Sequence, residues 1–165
     1  MRPRFAFIFV LLLASACSNP ESTQPAPAAT TTPPAATAKP AGGRLFVTNE
    51  VGGDISVIDV AAQKVITTIP VGKRPRGIRV SPDGSTLYVA LSGSPIAGPG
   101  VDESKLPAPD KRADGIGVVS VAEHRLLRIV KAGSDPEQTA VSSDGMRLFV
   151  ANEDVGEASV VAVDD

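Results

Sequence analysis

The sequence contains few residues of the types that most often carry chemistry. Of its 165 residues, one is cysteine, one is histidine and none is tryptophan. The single cysteine, Cys17, excludes an internal disulfide. Cys17 and the single histidine, His124, also cannot supply the four ligands of a structural zinc site or a bis-histidine haem. We therefore expect no cofactor.

Basic residues are not in excess either. The chain has 16 Lys and Arg against 18 Asp and Glu, and its formal net charge at pH 7 is −2. The positive residues form no stripe, and no group of aromatic residues provides a surface for stacking bases. Nucleic acid is therefore not an expected partner.

No apolar run is long enough to cross a bilayer. The longest occupies residues 5–13, whereas a membrane-spanning helix needs about 20 apolar residues. Basic residues precede this run and the small residues 14–16 follow it, which predicts a signal peptide over residues 1–16. Small residues directly before Cys17 resemble the bacterial lipobox, so we expect Cys17 to be lipidated. The alternative is ordinary secretion with an incidental cysteine.

Residues 17–43 consist mainly of Pro, Ala, Thr and Ser. A segment with so few large apolar residues cannot bury enough surface to fold, and its prolines favour an extended chain. We interpret it as a linker that holds the domain away from a membrane; the alternative is a disordered tail without a role. The expected location is the bacterial cell envelope, lipid-anchored in the outer membrane and facing the periplasm, or otherwise periplasmic or secreted.

One six-residue pattern occurs three times, as RLFVTN, TLYVAL and RLFVAN. The copies occupy Arg44–Asn49, Thr86–Leu91 and Arg147–Asn152, and they contain every aromatic residue that follows the leader. Successive copies start 42 and 61 residues apart, and the 19 extra residues lie within Ser92–Ala113. A repeat of about 42 residues with four short strands is typical of a β-propeller blade.

The fold class predicted for residues 44–165 is therefore all-β, a partial β-propeller of four-stranded antiparallel blades. One blade is complete; the first lacks its innermost strand and the third lacks its outermost. Propellers close with about four to eight blades, so the repeats predict a truncated or split propeller. Its open blade edges are expected to favour self-association or a protein partner.

These repeats resemble the YVTN-type β-propeller family. The resemblance lies in Leu45–Asn49, Ser56–Asp59, Thr67–Gly72 and Arg79–Gly84. The insertion is similar to that of envelope propellers related to the propeller domain of haem-containing nitrite reductases. The resemblance implies a propeller fold and an envelope location.

The insertion is the best candidate for a functional feature, because a long loop in a fold of short loops is often functional. Its charged residues, the candidate binding residues, are Asp102, Glu103, Lys105, Asp110, Lys111 and Arg112. The loop is expected to cover a site or to dock a partner. The alternative is a solvent-exposed loop that neither covers a site nor docks a partner.

Other polar residues have structural explanations. Asn49 and Asn152 are expected to end strands and to cap the following turns by hydrogen bonds from side chain to backbone. The functional alternative is that the pairs Asn49-Glu50 and Asn152-Glu153 place oxygen ligands on one rim, for calcium or a polar ligand. Asp83 and Asp144 precede glycine in predicted turns, and His124 lies in another turn. Residues 115–120 only approximate a dinucleotide-binding motif, because no helix follows them.

The sequence favours a non-catalytic module that binds a protein or a small ligand at the cell envelope. The alternatives are a fragment of a propeller enzyme, of the lactonase or the periplasmic redox-associated type, and a non-functional remnant. No nucleophile or base stands beside a suitable partner in the sequence, so no catalytic residue is predicted.

Overall fold

A computed structural model describes residues 42–164, apart from the side chain of Glu103. The predicted signal peptide, Cys17 and almost all of the predicted linker lie outside the described residues. Within residues 42–164, no helix has the length and hydrophobicity needed to span a bilayer.

The described residues form ten β-strands and one short 3-10 turn at Glu103–Lys105. The strands are β1 (Arg44–Asn49), β2 (Asp54–Asp59), β3 (Lys64–Pro70), β4 (Pro75–Val80), β5 (Thr86–Leu91), β6 (Gly115–Ser120), β7 (Arg125–Val130), β8 (Pro136–Val141), β9 (Arg147–Asn152) and β10 (Glu157–Ala162). Val, Ile, Leu and Thr make up at least half of the residues of β1, β2, β3, β5, β6 and β7, as expected of strands with a buried face.

The strands pair into three antiparallel sheets. Sheet I has the order β1-β2-β3, sheet II the order β4-β5-β6-β7 and sheet III the order β10-β9-β8. The predicted all-β architecture is confirmed, with one four-stranded sheet between two three-stranded ones. Sheet I has no strand equivalent to β4 within the described residues, and sheet III has none equivalent to β7.

The repeated aromatic residue has the same neighbour in each sheet. Phe46 lies opposite Val57, Tyr88 opposite Val118, and Phe149 opposite Val160. A cross-strand pair of an aromatic and a β-branched side chain stabilises a sheet. The repeated sequence therefore specifies the same strand register in all three sheets.

Two hydrophobic cores hold the sheets together. The first joins sheets I and II and includes Ile55, Val57, Leu87 and Val89. The second joins sheets II and III and includes Tyr88, Val118, Leu148 and Val150. Because β5 contributes alternate side chains to both cores, five of its six residues are buried. A sheet covered on both faces needs such a continuous apolar strand.

The ends of the sheets form two rims. We name as the insertion rim the end that carries the β1–β2, β5–β6 and β9–β10 loops. The opposite end, the turn rim, carries the two Asp-Gly turns. At the turn rim, Gly84 and Gly145 both have φ +75°, which glycine adopts more readily than other residues.

Candidate functional site

The insertion between β5 and β6 is closed at its base by backbone contacts. The amide of Asp110 donates to the carbonyl oxygen of Gly93 at 3.0 Å, and the amide of Ala113 donates to that of Asp110 at 2.9 Å. A Cβ atom at Gly93 would lie 1.8 Å from the carbonyl oxygen of Asp110. Only glycine permits this approach, so residues 94–109 form a compact loop on a narrow neck.

A buried carboxylate fixes the neck to the sheets. Asp114 is only 2% exposed. Its Oδ1 accepts a hydrogen bond from the amide of Gly93 at 2.7 Å, and its Oδ2 accepts one from the amide of Asp135 at 3.0 Å. Buried polar groups are costly unless they are hydrogen-bonded. Asp114 therefore joins the insertion to the β7–β8 connection.

Two of the predicted loop residues fasten the insertion to neighbouring sheets. Lys73, in the β3–β4 connection, donates to Asp110 Oδ2 at 2.8 Å, and this bond lowers the pKa of Asp110. Lys111 pairs with Asp154 in the β9–β10 loop. Burial disfavours the charged form of Lys111, but its bond to Asp154 and the charges of Asp154, Asp114 and Asp135 together outweigh this and raise its pKa. The loop is thus held on two sides.

The other predicted loop residues do not reach the sheets. Asp102 accepts hydrogen bonds from the hydroxyl and amide of Ser104 and lies 3.4 Å from Lys105. The side chain of Arg112 is 96% exposed and lies 3.5 Å from Asp110. The side chain of Glu103 is outside the described part. The five predicted residues whose side chains are described therefore do not converge on one site.

Two adjoining cavities lie beneath the insertion, with volumes of about 520 and 440 Å³. The loop supplies an apolar wall, and the connections between strands supply a polar floor. The wall of the larger cavity is formed by Pro95, Ala97, Leu106, Pro107, Ala108 and Pro109, and its floor includes Arg74, Asp135, Glu153 and Asp154. An apolar wall with a few polar groups is typical of a small-ligand site.

A hydroxyl group without a protein partner lies in this region. Ser94 lines both cavities, and its Oγ is buried and makes no hydrogen bond among the described residues. The neighbouring Ser92, by contrast, donates to Asp135 and accepts from the amide of Ser94 at 3.0 Å. Since buried hydroxyl groups are normally bonded, Ser94 Oγ is an unsatisfied polar atom in a residue that lines the cavities.

Arg76 organises the carboxylates at the floor. Its guanidinium lies 2.6 Å from Glu153, 3.0 Å from Glu137 and 3.6 Å from Asp135. Burial disfavours its charge, but the bond with Glu153 and the charges of all three carboxylates outweigh this, so its pKa is raised. The guanidinium therefore stays charged and holds sheet III against sheet II.

Of the polar residues at the floor, only Glu153 was singled out from the sequence, and Arg74, Asp135 and Asp154 were missed. The available signal was a change of charge at equivalent repeat positions, 61 residues apart: Arg74 corresponds to Asp135, and Arg76 to Glu137. Arg74 and Asp135 have the same backbone form, with φ +40° and +51°. The backbone conformation is the same at the two positions, whereas the charge of the side chain is reversed. This indicates that these side chains have a role other than stabilising the repeat.

The remaining polar residues have mainly structural contacts. Asn49 donates to Asp54 and Ser56, and Asn152 donates to Ser159, so both join neighbouring strands through side chains. We expected bonds to the backbone instead. His124 lies in the β6–β7 turn, 3.1 Å from Arg44.

Among the described residues, no three His, Cys, Asp or Glu side chains are grouped so as to hold a metal ion.

The chain is similar to a known protein family and to several solved structures. A family model described as "Lactonase, 7-bladed beta-propeller" matches residues 36–165. No curated protein matches the chain.

Several solved structures share the fold. Hydrazine synthase of Kuenenia stuttgartiensis matches with a TM-score of 0.58 and 24% identity, over 76% of this chain and 31% of that one. A candidate 6-phosphogluconolactonase of Bacteroides fragilis matches with a TM-score of 0.53 and 20% identity, over 71% and 31% of the two chains. One of Bacteroides uniformis has the same score and identity, over 74% and 34%. The chain thus spans about a third of these structures, and identities this low show the fold alone.

Proposed function

We propose, since this chain belongs to the lactonase family of seven-bladed β-propellers, that its insertion rim binds a small polyhydroxylated ligand at the cell envelope. The described sheets are three, fewer than the seven of the family, so the proposal concerns a sector of a propeller. Binding is placed in the cavities beneath residues 92–114.

The unpartnered hydroxyl of Ser94 between an apolar wall and a charged floor is the observation that carries this proposal. A volume of about 520 Å³ lies within the range of roughly 300–1,000 Å³ for small-ligand sites. A polyol fits the chemistry, because each hydroxyl group both donates and accepts hydrogen bonds. It can therefore bond to Arg74 and to the carboxylates of the floor at the same time.

Binding is favoured over catalysis because the charged groups of the floor already have partners. Arg74 lies 3.2 Å from Glu50, and Glu153 lies 2.6 Å from Arg76. The pKa of Asp154 is lowered, chiefly by its bond to Lys111. A carboxylate with a lowered pKa is a weak general base near neutral pH.

Calorimetric titration with D-gluconate and D-glucono-δ-lactone tests this proposal. We expect Ser94→Ala to weaken binding about five- to tenfold, as loss of one hydrogen bond does, with no change in unfolding free energy. Ser104→Ala is the matched control, because its hydroxyl bonds to Asp102 within the loop. Equal affinities of the wild type and Ser94→Ala for both probes would contradict the proposal.

Lactone hydrolysis is the second candidate function, and the family match favours it. In this reaction water adds to the lactone carbonyl, the ring C–O bond breaks, and the water's proton passes to the leaving oxygen to give a hydroxy acid. Glu153 would accept the proton and Arg74 would stabilise the developing oxyanion. Hydrolysis of 6-phosphogluconolactone faster than the spontaneous rate, and lost in Glu153→Gln, would establish it. A rate equal to the spontaneous one would exclude it.

Anchoring through Cys17 belongs to the same proposal. Lipid chains on Cys17 would hold the protein on a membrane by burial of their methylene groups, with residues 18–43 as the tether. Cell fractionation tests this: Cys17→Ser is expected to move the protein from the membrane to the soluble fraction, and Ser18→Ala is expected to leave it in the membrane. A membrane-bound Cys17→Ser protein would contradict the anchor.

A further inference from the structure

Another cavity lies at the turn rim, where the Asp-Gly turns of sheets II and III meet. Its volume is about 270 Å³, and the charged residues of its lining are Asp83 and Asp144. Hydroxyl groups are supplied by Ser81, Ser85, Thr86 and Tyr88. Among the described residues, no basic side chain lines this cavity. All the polar side-chain atoms that line it are therefore oxygens.

The two turns are in contact, although their carboxylates are far apart in sequence. A Cβ atom at Gly145 would lie 3.6 Å from Cδ of Pro82. Asp83 and Asp144 consequently line one cavity. Both are ionised at neutral pH, because the ordinary pKa of an aspartate is about 4. Two like charges that share a site repel each other, and a cation between them would remove this repulsion.

Asp144 has a carboxylate oxygen that its turn does not use. Its Oδ1 accepts both hydrogen bonds of the turn, from the hydroxyl of Ser142 and from the amide of Met146. In the turn of Asp83, the hydroxyl of Ser85 also bonds to Oδ2, at 2.8 Å. The residue of sheet III that is equivalent to Ser85 is Met146, which has no hydroxyl group. The structure therefore shows no hydrogen bond to Asp144 Oδ2 from a described residue.

A hydroxyl group of the hydrophobic core also belongs to this cavity. Tyr88 occupies the aromatic position of the repeat, where the other copies have Phe46 and Phe149. It is only 3% exposed and lines the cavity. Burial, followed by the charge of Asp83, raises the pKa of Tyr88, and no hydrogen bond to a described residue contributes. Since buried hydroxyl groups are normally bonded, this hydroxyl is a polar group that the repeat itself does not require.

The basic residue that acts on Tyr88 has another partner. The charge of Arg128 lowers the pKa of Tyr88, against the larger effect of burial. Its guanidinium donates to the carbonyl oxygen of Val163, and it does not line the cavity. The cavity thus has two carboxylates and no cation of its own.

We propose that this cavity binds a hydrated divalent cation between Asp83 and Asp144, with the hydroxyl of Tyr88 bonded to the water shell of the ion. Hard cations take oxygen ligands, and Mg²⁺ is usually held through one or two carboxylates while it keeps several waters. No third acidic residue is then required. A volume of about 270 Å³ accommodates an ion with its waters, since each water occupies about 30 Å³.

The bound ion would join the turns of sheets II and III at the turn rim. Arg76 joins the same two sheets at the insertion rim, through Glu153 and Glu137. Because the two sites lie at opposite ends of the sheets, this inference is independent of the proposed ligand site.

Terbium luminescence tests the proposal, because Tyr88 is the only tyrosine of the chain and there is no tryptophan. Tb³⁺ is a hard, oxygen-seeking ion that emits when a nearby tyrosine transfers energy to it, and this transfer falls steeply with distance. The full-length chain carrying Cys17→Ser, which lacks any lipid and the only thiol, is titrated with Tb³⁺. We expect tyrosine-excited emission that saturates with a single ion per chain and that Mg²⁺ and Ca²⁺ abolish by competition.

Asp144→Asn is expected to weaken Tb³⁺ binding about tenfold, because the charge of the ligands sets the affinity of such sites. The asparagine keeps an oxygen for the two bonds of the turn. Asp102→Asn is the matched control, because Asp102 accepts the same kinds of bond, from the hydroxyl and amide of Ser104, but lies in the insertion. Its affinity for Tb³⁺ is expected to equal that of the parent.

Tyr88→Phe removes the source of the emission, so calorimetry with Mg²⁺ measures its effect. The fold is expected to tolerate this change, because phenylalanine occupies the same position in the other two copies. We expect Mg²⁺ to bind about three- to tenfold more weakly, as loss of one hydrogen bond predicts. Emission that does not saturate, emission that neither Mg²⁺ nor Ca²⁺ reduces, or equal Tb³⁺ affinities of the parent and Asp144→Asn would each overturn the proposal. An unchanged Mg²⁺ affinity in Tyr88→Phe would overturn the part assigned to the hydroxyl.

Discussion

Asp83 and Asp144 hold the two Asp-Gly turns of the turn rim in the same way. Asp83 accepts hydrogen bonds from the hydroxyl of Ser81 and from the amide of Ser85. Asp144 accepts them from the hydroxyl of Ser142 and from the amide of Met146. Short polar side chains that bond to the local backbone favour turns. These carboxylates act as turn residues.

The turn of Asp83 predicts an acid-sensitive contribution to stability. The bond from Ser81, followed by those from Ser85, lowers the pKa of Asp83 from 3.8 to about 2. A lowered carboxyl pKa gives stability that is present above pH 3.8 and is lost as the pH falls towards about 2. We expect Asp83→Asn to lower the free energy of unfolding at pH 6 and to reduce this loss between pH 4 and pH 2. Urea unfolding at several pH values measures both effects.

Glu157→Gln is the control for this experiment, because Glu157 is an exposed residue of β10. An unchanged pH dependence in Asp83→Asn would show that the turn carboxylate contributes nothing to acid sensitivity.

The sequence revealed local patterns well and contacts between sheets poorly. Phe46, Tyr88 and Phe149 predicted three equivalent strands, because an aromatic residue recurs at the same position of each repeat. The pair of Arg76 and Glu153 joins residues 77 positions apart, and its formation depends on which sheets are neighbours. Nothing in a local pattern specifies that adjacency, so the pairing of charges at the floor emerged only from the structure.

The start of β4 illustrates the same limit at the level of one element. Local propensity does not mark its first residue, and the structure begins it at Pro75. Pro75 lies opposite Leu91 across a register shift before Ile78. Proline disfavours a strand interior, but it is acceptable at the first position of the strand. After this register shift, the residues from Ile78 to Val80 pair regularly with β5.

The insertion between β5 and β6 depends on its glycine neck. We expect Gly93→Ala to destabilise the protein by ~1–3 kcal/mol, as overpacking of a rigid contact does, because the new Cβ would collide with backbone of Asp110. Urea unfolding gives the loss of stability, and limited proteolysis reports the opening of residues 94–109.

Gly98→Ala is the matched control for the neck, because a Cβ at Gly98 would have Val101 at 3.7 Å as its nearest neighbour. Equal stability and equal proteolysis of the two variants would show that the neck does not hold the loop.

The backbone contact between Gly93 and Asp110 has a practical consequence for engineering. The two chain segments of the neck are joined by a hydrogen bond between Gly93 and Asp110. The sheets therefore need no particular sequence or length between these two residues. Exposed positions such as Gly98, in the outer part of the loop, are therefore suitable for grafting an epitope or a fluorescent reporter. The graft would stand above the cavities and report on their occupancy without entering either hydrophobic core.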